Sequence, residues 1–387
     1  MQFRDLERQY KELKPQINSA IETVLSNADF IGGKKVKELE ELMEIFLGVK
    51  HCITCANGTD ALQMALLAMG VTCGDAVFVP DFTFFSSGEV VPLVGGTPIF
   101  VDVDSRTYNI SIEALEKMIN LVIKEGKLVP KVIIAVDLFG QPAEHYAIKK
   151  IAKKYGMYVL EDGAQGFGGR IGEKKACSFG DISTTSFFPA KPLGCYGDGG
   201  AIFTNRDDWN DIIRSLCVHG RGNNKYDNVR IGFNSRLDTI QAAVLQVKLE
   251  AFQEYEFDRV NKVAEWYSSA LQEVDRMLNL PIILPEYYSS WAQYTIAFHE
   301  DNVREYIQKE LRKYDVPSMV YYIKPMHKQL AFSGIVESHH YLNDDLFLNT
   351  EQLCKRVLSL PMHPYMKKSE VDCVCDKIKS SLKMVGN

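Results

Sequence analysis

The chain has 387 residues, 46% of them hydrophobic, which is enough for sizeable cores and by length for about two or three domains. Its 44 basic and 50 acidic residues leave a formal charge of -6, which argues against the basic stripe of a nucleic-acid-binding protein but not against small acidic ligands. No apolar stretch reaches bilayer-spanning length, residues 1–6 lack the apolar centre of a signal peptide, and nine dispersed cysteines fit a reducing compartment, so a cytoplasmic protein without a membrane partner is expected.

Apolar residues recur at helical spacing over residues 5–29 and again over 34–47, with a turn at 29–33 between them. A buried strand at 51–56 then runs into Asn57-Gly58-Thr59-Asp60 and a helix over 61–69. Strand, glycine turn and helix N-terminus make a phosphate seat, because free backbone N–H groups and the helix dipole face an anion there. An ordinary N-cap at Thr59 or Asp60 reads equally well from these residues alone. Cys52 and Cys55 form a CxxC spacing without a second pair, and the histidines, His339-His340 included, form no short-spaced ligand cluster, so no metal is expected.

Strands follow at 76–80, 97–103, 132–138 and 157–160, separated by helices at 111–123 and 143–154, with 82–87 a loop or helix start. The alternation predicts a doubly wound α/β domain whose ligands sit at the carboxyl ends of the strands. Gly58, Thr59, Phe84, Asp137, Asp162 and Gln165 fall at those ends. A further strand over 181–188 leads into Pro189-Ala190-Lys191-Pro192, then come a strand at 199–204 and a helix at 209–218. The polar loop 219–228 is a mobile or ligand-covering candidate. A long helix through 249 and a charged stretch after it place a domain boundary near 250, giving 1–250 and 251–387, the latter a smaller α+β domain with a strand at 293–298 and helices at 303–313, 350–357 and 372–382.

Lys191, Asp162, the Gly58-Thr59 turn and the aromatic loop at Phe84 form one constellation if the ligand is pyridoxal phosphate. Lys191 would hold the aldehyde and carry the proton, and Asp162 would pair with the protonated pyridine nitrogen. Phe84 would stack on the ring, Gln165 would bond near the phenolic oxygen, and Ser186 would join the phosphate seat. Each also has an ordinary structural use: Asp162 as a helix cap, Phe84 as core, Ser186 as a locally satisfied strand hydroxyl.

Four motifs, Ala56-Asn57-Gly58-Thr59-Asp60-Ala61-Leu62, Glu161-Asp162-Gly163-Ala164-Gln165, Ser186-Phe187-Phe188-Pro189-Ala190-Lys191 and Gly197-Asp198-Gly199-Gly200-Ala201, resemble the DegT/DnrJ/EryC1/StrS nucleotide-sugar aminotransferases, and the likeness spans nearly the whole chain. The resemblance implies pyridoxal 5'-phosphate fold type I, aspartate-aminotransferase-like, with a large, mostly parallel seven-stranded sheet domain and a small α+β domain. It implies the cofactor roles given above for Lys191, Asp162, Gln165, Phe84, Gly58, Thr59 and Ser186. It also implies a homodimer with shared sites, in which Asn234 reaches the neighbour's phosphate and Arg236 approaches the substrate, with Tyr321, Lys324 and His327 as sugar contacts. L-glutamate would give its amine, leave as 2-oxoglutarate, and a nucleotide-diphosphate-linked ketosugar would be aminated, at C3 by likeness to the subgroup, in making an amino sugar for a surface glycan. A 4-keto substrate and an amino-acid transaminase are the alternatives. Sugar dehydratases of the family carry histidine in place of the lysine, and Lys191 speaks against that activity.

Overall fold

The computed structural model describes residues 1–224, 226–338 and 344–385, so His339-His340 lies outside the described residues. In chain order the strands are β1 (His51–Cys55), β2 (Asp75–Pro80), β3 (Thr97–Val101), β4 (Val129–Val136), β5 (Tyr158–Asp162), β6 (Arg170–Ile171), β7 (Lys174–Lys175), β8 (Ile182–Ser186), β9 (Gly200–Thr204), β10 (Leu278–Asn279), β11 (Tyr287–Tyr288), β12 (Tyr294–Phe298) and β13 (Val357–Leu360). Seven of them make one sheet in the order β1-β9-β8-β5-β4-β2-β3. Only β9 runs against the rest, pairing antiparallel with both β1 and β8. This is the predicted α/β architecture. The run Val132-Ile133-Ile134-Ala135 in β4 is wholly buried, as befits a parallel strand covered by helices on both faces.

Residue spacing on β1 disposes of the CxxC motif. Positions three apart on a strand face opposite ways, and Cys52 packs with Leu39 and Phe203 while Cys55 packs with Leu62 and Ala65 in a different core. They cannot close on one ion.

The helix Leu6–Asn27 opens with Asp5 as N-cap, its carboxylate accepting from the Arg8 amide, and buries Leu13 and Ile17 against Val244 and Ala251. Further on, helix Thr239–Ala251 continues without a break through a π-turn at Phe252–Glu256 into Phe257–Leu271. From Val260 onward buried residues such as Tyr267, Tyr294, Ile296 and Leu358 form a second core around the antiparallel sheet β10-β12-β13. The predicted strand at 293–298 is β12. The helix expected over 350–357 is Leu348–Arg356 instead: Val357 turns to extended backbone at ψ 143° and begins β13, pairing with Ala297.

Candidate active site

Parallel strands end on one edge, and that edge supplies the site. Asp162 is the last residue of β5 and Ser186 the last of β8. They open on a cavity of about 670 Å³ whose walls include Asn57, Thr59, Phe84, Asp162, Gln165 and Lys191.

The phosphate-seat geometry is present, with a different cap from the one expected. Asn57, extended at φ -166° and ψ 169°, caps helix Gly58–Ala68 by accepting from the Asp60 amide at 2.8 Å. The amides of Gly58 and Thr59 lie in the first turn, where no helical carbonyl is available to them, and both residues line the cavity. The Thr59 and Ser86 hydroxyls lie 2.9 Å apart. A Cβ on Gly58 would stand 2.8 Å from the Ser186 Cβ, so glycine is what lets the helix end approach β8.

Asp162 is buried, accepting a hydrogen bond from the Ser87 hydroxyl at 2.7 Å and from the Ala164 amide at 3.2 Å. Burial pushes its carboxyl above the ordinary range, with the Ser87 bond and the Lys191 charge pulling the other way. Two neutral donors do not compensate a buried charge fully, so the carboxylate is poised for a cationic partner. Lys191 is half-buried on the same cavity, and burial lowers the basicity of its amine against the pull of Asp162. Gln165 is oriented by the Phe139 amide, which donates to its Oε1 at 2.8 Å; its Nε2 then donates to the Tyr322 hydroxyl at 3.3 Å. Phe84 remains 53% exposed at the cavity, its ring 6.4 Å from that of Tyr322. An aromatic left uncovered there is available to stack on a planar ligand.

Several expected positions lie elsewhere. Asp137 is a strand-end residue but does not line the cavity: its carboxylate accepts from the Ala143 amide at 2.9 Å and pairs with His145 Nε2 at 2.7 Å. The neighbouring Glu161 takes the Cys177, Phe179 and Gly180 amides and the Ser183 hydroxyl, so this buried trio ties loops under the site. His327, expected at the sugar, is also turned away. Its Nδ1 lies 2.6 Å from Asp81, its amide donates to the same carboxylate, and its ring stacks on Phe347 at 4.2 Å. Tyr321 and Lys324 do line the cavity.

Asn234 and Arg236 stand in a separate pocket of about 480 Å³ that adjoins the first at Asp198. There the Arg236 guanidinium donates to the Asn234 side-chain amide oxygen at 2.6 Å. Sequence reasoning passed over Asn57, Ser87 and Tyr322; for Ser87 the available signal was the hydroxyl-rich run that closes Phe84-Phe85-Ser86-Ser87.

Residues 11–379 match the sequence model of the DegT/DnrJ/EryC1/StrS aminotransferase family. The chain is 42% identical over 375 residues to the UDP-2-acetamido-2-deoxy-3-oxo-D-glucuronate aminotransferase of Pseudomonas aeruginosa, covering 97% of this chain and 98% of that one. Its fold is similar to the crystal structure of a DegT DnrJ EryC1 StrS aminotransferase from Brucella abortus, with a TM-score of 0.92, 44% identity and coverage of 98% and 99% of the two chains. The ntda protein of Bacillus subtilis, solved with bound cofactor pmp, is similar with a TM-score of 0.86 and 27% identity over 96% of this chain and 82% of that one.

Proposed function

The chain belongs to the DegT/DnrJ/EryC1/StrS aminotransferase family, and we propose that it aminates the C3 ketone of a nucleotide-diphosphate-linked sugar, with pyridoxal 5'-phosphate as cofactor and L-glutamate as amine donor. One observation carries the reading: the Lys191 amine and the buried Asp162 carboxylate face a single cavity walled by a helix N-terminus with free amides. The donor set fits the cofactor, since the seat takes a dianion, the carboxylate takes a cationic ring nitrogen and the amine takes an aldehyde. Bound there, pyridoxal phosphate supplies a carbonyl that carries the amino group and a ring that withdraws the electrons freed by C–H cleavage.

The protein's own groups do the rest. The Gly58 and Thr59 amides and the Ser186 hydroxyl would hold the phosphate, and Asp162 would accept a hydrogen bond from the ring N–H. Phe84 would cover the ring face and the Gln165 amide would donate to the phenolic oxygen. Lys191 Nζ, when neutral, would remove the proton from the glutamate α-carbon. In the second half of the exchange, after 2-oxoglutarate has left, it would deliver a proton to C3 of the sugar, so that the amino group lost by glutamate appears on the sugar. Tyr321 and Lys324 contact the sugar.

The protein acts as a cytoplasmic homodimer divided near residue 250 into a large cofactor-binding and a small domain; no helix among the described residues is long and apolar enough to cross a membrane. Asn234 and Arg236 serve the neighbouring subunit, a reading supported by their place outside this chain's own cavity. The 3-keto preference rests on the Pseudomonas aeruginosa relative. The test loads the enzyme with amine from glutamate, removes the donor and offers UDP-linked 3-keto and 4-keto sugars. Return of the visible cofactor band with the 3-keto sugar, together with an aminated product by mass spectrometry, is expected; return with the 4-keto sugar alone overturns the assignment.

A further inference from the structure

Arg4 reaches 187 residues along the chain to the lysine turn, its guanidinium Nη2 donating to the main-chain carbonyl of Lys191 at 2.9 Å. The far end of the same turn is held in the same way, because the buried Lys248 ammonium donates to the Gly194 carbonyl. Between them the Lys191 amide donates to the Phe188 carbonyl at 2.9 Å. Arg4 is itself fixed from both sides. The Phe3 carbonyl accepts from the Met362 amide at 3.0 Å, and the Phe3 ring stands edge-on to the cavity residue Tyr321 at 6.3 Å. Behind it Arg8 grips Glu370 through two bonds of 2.9 and 2.7 Å, and Gln9 donates to Glu256 at 2.8 Å.

We propose that Arg4 is a positioning residue for Lys191, holding the lysine's main-chain carbonyl and setting a permanent positive charge against the lysine turn. The proposal rests on the aminotransferase reading of Lys191 and extends it to a residue in a segment that precedes the first helix. An ordinary lysine is protonated at neutral pH, whereas an amine that must attack a carbonyl and then take a proton has to be neutral. A guanidinium does not deprotonate in a protein, so its charge disfavours the ammonium form of a nearby lysine at every working pH. The charged groups around this amine are Asp162 at the end of β5, Arg4 from the N-terminal segment, and Asp198 and Lys324 on the cavity wall. Lys248, Glu256 and His363 surround Arg4 in turn. Burial is the largest influence depressing the Lys191 amine, Asp162 opposes it, and Arg4 adds to the depression.

The test compares wild type, R4M and R4K. In the full-length chain stripped of cofactor, the rate of Lys191 acetylation by acetic anhydride is followed against pH by peptide mass spectrometry, with the exposed Lys14 as internal reference. R4M should raise the Lys191 midpoint by about half a pH unit or more and leave Lys14 unmoved, while R4K, which keeps the charge, should return it toward wild type. In the loaded enzyme, R4M should lower kcat about tenfold with KM for glutamate changed less than about twofold. If R4M fails to fold, R4Q carries the same comparison. Equal midpoints in wild type and the neutral variant overturn the proposal, as does a loss of kcat that R4K does not reverse at all. Failure of the wild type to transfer an amine would strike the aminotransferase reading instead, and the acetylation midpoints would still decide the role of Arg4.

Discussion

Replacing Asp162 by asparagine separates the cofactor's requirement from the fold's. The side chain is buried and its local partners are two neutral donors, the Ser87 hydroxyl at 2.7 Å and the Ala164 amide at 3.2 Å. Asparagine keeps an acceptor oxygen for one of them, and the Ser87 hydroxyl can turn to accept from the new amide. In the cofactor-free protein the carboxyl sits above its ordinary value of 3.8 because of burial. A carboxyl raised by folding favours the folded state below its unfolded value and loses that contribution as pH rises through the folded one. The cofactor-free Asp162→Asn protein should therefore be as stable as wild type or more so at pH 7 to 8, with the difference vanishing near pH 3. The loaded enzyme should behave in the opposite way. Breaking a buried charge pair by removing one partner costs about 3–5 kcal/mol, which is about 10²- to 10⁴-fold in rate if the ring nitrogen must stay protonated through the reaction. Denaturant melts of the stripped protein and kcat/KM of the loaded one measure the two halves. A loaded Asp162→Asn enzyme within about tenfold of wild type, or a stripped one clearly less stable at pH 8, would refute the pairing.

Three further outcomes follow from the same geometry. Gly58→Ala drives a Cβ to 2.8 Å from that of Ser186, so cofactor affinity measured by equilibrium dialysis should fall about tenfold or more, and undiminished affinity would remove the phosphate from this helix end. Burial and the nearby Arg4 lower His363 from 6.5 to about 4, which makes its contribution complete above pH 6.5 and lost as pH falls toward 4. His363→Asn should therefore lose about 3 kcal/mol less than wild type over that interval in denaturant melts, and parallel pH profiles would contradict the assignment. Mixing inactive Lys191→Ala with inactive Asn234→Ala should restore some activity through dimers holding one intact site; no recovery in mixed dimers counts against shared sites.

The strand-end edge was legible because parallel strands buried on both faces read as unbroken apolar runs, as at Val132-Ile133-Ile134-Ala135, and because glycine turns mark where helices start. Two-residue strands such as β6, β7, β10 and β11 are too short to carry a period, and none was foreseen. The helix cap was misplaced between Thr59 and Asp60 because Asn57, Thr59 and Asp60 are all competent caps, and only backbone geometry selects the first. His327 was placed at the sugar by the resemblance alone. Its partner Asp81 lies 246 residues away, a proximity no local pattern reveals. Arg4 was invisible for the same reason, since its target carbonyl is set by how the N-terminal segment crosses the lysine turn.

Borohydride reduction of the loaded enzyme followed by peptide mapping shows which lysine carries the cofactor. A single stable pyridoxyl adduct on the peptide containing Lys191, absent from Lys191→Ala along with the visible band, is the predicted result. An adduct on any other lysine, or a visible band that survives in Lys191→Ala, would contradict it.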